Sequence, residues 1–125
     1  MMPSRPLRPL LLLLLAMCMT AALPLAAQQT SRYLADVPDL PLMPGLQEVP
    51  DSGLVFDKPG GRIVEAYASG ALQRREVLAF YAETLPQLGW RSEHGGSFLR
   101  EGERLQLTLT ESAGGVTVQF RLFPQ

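Results

Sequence analysis

The sequence predicts an α+β fold: one helix packed on a four- to five-stranded antiparallel sheet, in the order β-α-β-β-β-β, preceded by a Pro-rich extended segment. Three observations predict it. Residues 72–88 carry apolar side chains at helical spacing. Residues 104–110 and 116–123 alternate strictly between apolar and polar. Between the prolines and the helix, "RIVEAYASG" (62–70) is β-branched and aromatic and closes on Ser-Gly, as a strand does.

The first 27 residues stand apart from that fold. Arg5 and Arg8 precede an apolar run from Leu10, and "LPLAAQQ" (23–29) passes from small to polar residues, the pattern of a cleaved signal peptide. Cleavage after Ala27 leaves 98 of the 125 residues and moves the formal charge from −1 to −3. The expected location is the bacterial periplasm or cell envelope, with no integral span after cleavage. Two alternatives stay open. The run 10–27 reaches the lower limit of a membrane span, about 17 residues, so it could remain as an anchor. "LAMC" (15–18) is similar to a lipoprotein lipobox, which would acylate Cys18, although Met17 stands where that motif wants a small residue. Cys18 is the sole cysteine, so a chain that loses it has neither disulfide nor thiol chemistry.

Residues 28–60 form the Pro-rich strap. Pro38, Pro41, Pro44, Pro50 and Pro59 each fix φ and remove a donor, so an extended, partly polyproline path is expected as far as about Gly53. Leu40, Leu42, Met43, Leu46 and Val49 give the strap an apolar side, to be packed on its own domain or on a partner. Residues 53–57 are a candidate edge strand.

Residues 61–125 form the small α+β domain. In the helix, Val77, Tyr81, Leu85 and Leu88 share one stripe, flanked by Leu78 and Phe80. Pro86 points away from the stripe, and Gly89 supplies the left-handed residue that ends a helix. Turn signals at "EHGGS" (93–97), "EGE" (101–103) and "ESAGG" (111–115) then divide the remainder into strands. Leu105, Leu107 and Leu109 share the buried side with Val116, Val118, Phe120 and Leu122. A core of about 60 residues is marginal, so the strap or self-association must cover more apolar surface.

Reactive groups are sparse. Ten arginines and the single Lys58 are scattered, and a formal charge of −1 gives no strong pull toward nucleic acid. His94 is the sole histidine and sits in a glycine-rich turn beside Glu93, too few ligands for a metal centre. No G-x-S-x-G is present, and "DKPGGR" (57–62) lacks the phosphate-binding pattern and leads into a strand. No catalytic, cofactor-binding or metal residue is therefore assigned, and a hydrolase built on His94 is the least supported reading.

Two surfaces remain. If Val64, Ala66 and Ala68 face the helix, Ile63 and Tyr67 join Gln119 and Arg121 on the outer face, a candidate partner-binding surface that the strap could instead fold back and cover. Phe80, Tyr81 and Trp90 are core aromatics or the lining of a pocket between helix and sheet. The expected function is a non-enzymatic envelope protein acting as a binding or assembly module, its partner another envelope protein or a second copy. The alternative is a carrier of lipid or another small apolar ligand.

"GRIVEAYASG", "VLAFYAETLPQLGW" and "FLREGERLQLTL…VTVQFRL" together resemble a recurring type of small exported bacterial protein, over about residues 44–123. The resemblance implies the fold and an export route. It carries over no activity and no site residues.

Overall fold

The structure, a computed structural model, describes residues 33–125. The leader, the "LAMC" motif and Cys18 lie outside the described residues. Among those described, no helix is long and apolar enough to cross a membrane.

In chain order the elements are β1 (Tyr33–Leu34), β2 (Val37–Pro41), β3 (Gln47–Glu48), β4 (Leu54–Lys58), β5 (Gly61–Gly70), α1 (Arg74–Gln87), β6 (Arg91–Ser92), β7 (Ser97–Arg100), β8 (Glu103–Ser112) and β9 (Gly115–Pro124), with a short 3-10 turn at His94–Gly96. Seven strands form one sheet in the order β3-β5-β9-β8-β7-β6, with β4 also paired to β5. β1 and β2 make a separate two-stranded ribbon. The fold is thus mixed, one helix with an antiparallel sheet, but the sheet has more strands than the four or five expected.

The extra strands come from the proline-containing segment, which is not a continuous extended strap. Pro38 and Pro41 lie within β2, whose only strand partner among the described residues is β1. A strand with one unpaired edge can turn the missing N–H outward without losing a ladder bond.

The inner face follows the alternation. Leu105 pairs with Leu122, Leu107 with Phe120 and Leu109 with Val118, while Ala66 and Ala68 pair with Phe120 and Val118 from the other side of β9. Val77, Tyr81 and Leu85 of α1 are buried in the same cluster. Tyr81 meets Phe120 edge-on at 5.5 Å and Phe80 at 5.0 Å, which places Phe80 half-buried at the core margin. Leu88, expected in the stripe, is instead 41% exposed. The helix stops at Gln87: Gly89 N–H donates to Pro86 O at 3.1 Å and Trp90 N–H to Leu85 O at 3.1 Å, with Gly89 at φ 89°. That left-handed closure removes Leu88 from the helical period and sends Trp90 into the core in its place.

The N-terminal ribbon completes the inner layer beside α1. Leu34, Val37, Leu40, Leu42 and Leu46 are buried in one cluster with Val64, Ala66 and Tyr81. The Tyr81 hydroxyl donates to Pro41 O at 3.0 Å and accepts Met43 N–H at 3.2 Å, so the ribbon is tied to the helix by polar as well as apolar contact. Residues 33–46 therefore pack on the helix side. They do not fold back over the outer face.

Candidate functional site

The outer face is the surface that the ribbon leaves open. With Val64, Ala66 and Ala68 buried, the pleat sends Ile63, Glu65 and Tyr67 to the opposite side. Their cross-strand partners complete the face: Tyr67 stands opposite Gln119, which stands opposite Thr108, and Glu65 stands opposite Arg121, which stands opposite Gln106.

Side-chain chemistry ties these pairs together. Gln119 Nε2 donates to the Tyr67 hydroxyl at 3.0 Å. Arg121 Nε lies 3.4 Å from a Glu65 carboxylate oxygen, and its guanidinium sits 5.1 Å from the Phe123 ring centroid. Three of the four residues expected at this surface, Tyr67, Gln119 and Arg121, are adjacent on β5 and β9. Ile63 lies at the β4 end of the same face, opposite Phe56.

Phe56 and Leu54 are what sequence reasoning missed. The sequence marks residues 53–57 as a candidate edge strand but assigns its side chains to neither face. Register settles it: Leu54 opposes Glu65 and Phe56 opposes Ile63, so both join the outer face, while Val55 opposes buried Val64. Leu54 is 56% and Phe56 55% exposed, and Val55 is 48% exposed on the other side of the strand. The signal was the Leu-Val-Phe run before Asp57, readable once β4 was registered on β5.

The aromatics weighed as pocket lining have structural partners. Tyr81 is fully buried and hydrogen-bonded; burial pushes its phenol well above the ordinary range, partly offset by the bond from Met43 N–H. Trp90 is buried beneath Arg100, whose guanidinium lies 4.3 Å from the ring centroid. Its indole N–H meets no acceptor among the described residues. Arg100 also donates to Leu88 O at 3.0 Å and to Asp39 of β2, joining helix end, sheet and ribbon. An open cleft lies elsewhere, between the start of α1 and the β8–β9 hairpin, lined by Gln73, Arg74, Glu111 and Ser112 among others.

His94 is exposed in the 3-10 turn, and the carboxylate beside it is engaged: Glu93 accepts from Arg104 at 2.8 Å. Arg104 also donates to Ser97 Oγ at 2.9 Å. At the far end of the inner face, Arg62 forks onto Glu103 at 3.1 and 3.4 Å, and this bond raises its already high pKa. Among the described residues no three His, Cys, Asp or Glu side chains cluster as a metal site. No known family model matches the chain, and neither does any curated protein or solved structure.

Proposed function

We propose that this chain is a non-enzymatic, exported envelope protein that works as a binding module, engaging a protein partner through its outer sheet face and the β4 edge. The observation that carries this reading is the row of Leu54, Phe56 and Ile63, apolar and continuous with a strand edge. Single exposed apolar residues are ordinary on any surface; a row that ends at a strand edge unpaired among the described residues is the form strand-addition interfaces take. The Tyr67–Gln119 and Glu65–Arg121 pairs supply the polar rim that such patches carry. The leader pattern over residues 1–27 supports export.

Co-purification from the native envelope tests the reading, using wild type, Phe56→Asp, Ile63→Asp, and Leu78→Asp on the exposed side of α1 as control. The two sheet-face variants are expected to lose the partner at unchanged melting temperature, and the helix variant to keep it. Equal recovery by all four chains would reject the sheet-face site.

A further inference from the structure

We infer that the occupant of the β4 edge is a second copy of this chain, the two β4 strands pairing antiparallel across a two-fold axis so that both sheets join into one. This rests on the reading that the β4 edge binds protein, and it narrows that reading to one partner.

The edge calls for an extended chain. β4 is bonded to β5 on one side, from Leu54↔Glu65 to Lys58↔Gly61, and no strand among the described residues pairs with its other side. β3 shares the same flank of β5 but sits farther along, opposite Ala68 and Ser69, and leaves β4 clear. Natural sheet edges are commonly blunted by charge, proline or a bulge. β4 begins Leu-Val-Phe with none of these; Asp57, Lys58 and Pro59 come after the apolar triplet.

Symmetry then selects the register. With the two-fold axis perpendicular to the joined sheet, outer faces must coincide, so the axis passes through a residue and not between two. Centred on Val55, Leu54 meets Phe56 of the second copy, Phe56 meets Leu54, and Val55 meets its own counterpart on the opposite face. Asp57 then lies opposite Gly53, and Lys58 opposite Ser52. Centring on Phe56 would set Leu54 against Lys58 and Val55 against Asp57. Centring on Leu54 would set Asp57 against Asp51, two like charges, and Phe56 against Ser52. The Val55 register alone sets all three apolar residues against apolar partners, so the strand is complementary to itself; its one like-charge approach is Asp57 of the second copy toward the Asp36 carboxylate beside Gly53.

Area sets the strength. Three half-exposed side chains and one strand edge bury a few hundred Å² per copy, roughly half of the ~800 Å² typical of a stable interface. The pairing is accordingly weak and dissociates on dilution.

The test uses the full chain, purified as the cell makes it, in a Cys18→Ser background so that the introduced thiol is the only one. At the axis the two Val55→Cys residues stand about 4.5–5.5 Å apart between Cα atoms, within disulfide reach. Two Leu54→Cys residues are offset along the strands and lie beyond the ~7 Å limit. Under mild oxidation Val55→Cys is expected to give covalent dimer in large excess, about tenfold or more, over Leu54→Cys, whose thiols the register holds beyond disulfide reach. Wild type should sediment as a dimer that dissociates on dilution. Equal cross-linking by the two variants, or a wild-type monomer at millimolar concentration, overturns the inference. A monomeric chain whose Phe56→Asp variant still loses a captured protein overturns self-pairing and leaves the binding surface standing. Val55→Cys dimers beside a captured protein indifferent to Phe56→Asp support self-pairing and remove the other partner.

Discussion

The Tyr81 hydroxyl donates to the Pro41 carbonyl at 3.0 Å across the join between α1 and β2, and it accepts Met43 N–H on its other side. This one atom holds the N-terminal ribbon against the helix. Tyr81→Phe keeps the ring on Phe120 but leaves two partly buried backbone groups without a partner. The expected cost is about 1–3 kcal/mol in urea unfolding. Amide exchange over residues 37–46 should quicken more than exchange in β8 and β9.

The same phenol makes stability fall in alkali. Its folded pKa is raised by burial, so the neutral form is favoured in the native state. The contribution is complete below the unfolded value of about 10 and is lost as pH climbs above it. Urea midpoints of wild type should drop steadily above pH ~10, and those of Tyr81→Phe should drop less over the same interval.

Three backbone segments meet where Gly45, Gly70 and Gly115 approach one another. A Cβ on Gly70 would overlap the Gly45 carbonyl, and one on Gly115 would overlap the Gly70 carbonyl. Gly70→Ala is expected to cost about 3 kcal/mol, the upper end of overpacking penalties, by pushing the chain before β3 off the end of β5. Gly114→Ala, in open space within the neighbouring hairpin, should fall within about 0.5 kcal/mol of wild type. Thermal unfolding of the two variants side by side checks the contrast.

Arg100 lies flat over Trp90 while reaching both Leu88 O and Asp39. Lysine offers neither the planar stack nor the fork, so Arg100→Lys should cost about 1–2 kcal/mol. Asp39 is largely exposed, and Asp39→Asn should cost less than Arg100→Lys. Trp90 is the single tryptophan, so its emission reports the change directly: Arg100→Lys should shift it, and Asp39→Asn should leave it nearly in place.

The inner face was legible because periodicity encodes it. Val77, Tyr81 and Leu85 repeat at helical spacing, and Leu105 to Leu109 and Val116 to Leu122 repeat at strand spacing; all belong to one core or pack against it. Leu88 misled because a period cannot show where a helix closes, and the closing bonds at Gly89 and Trp90 take it out of the stripe. Strand β2 was hidden by Pro38 and Pro41, since proline forbids a central strand but not a two-stranded ribbon, and β1 and β3 by their length. Two-residue strands carry no period of their own. Their pairing depends on contacts distant in sequence, such as Gln47 with Ser69.

The candidate face divides the same way. Tyr67, Gln119 and Arg121 follow from alternation within β5 and β9, whereas Leu54 and Phe56 depend on how β4 registers against β5. Alternation assigns sides within a strand, and only register assigns neighbours between strands.

On the proposed reading, the β4 edge and its outer face make protein contacts in the envelope. A photo-activatable phenylalanine analogue at position 56, with position 78 on α1 as comparison, tests it most directly in living cells. Discrete adducts from position 56, absent from position 78, are the predicted result. Adducts equally abundant at both positions, or none at position 56, would contradict it.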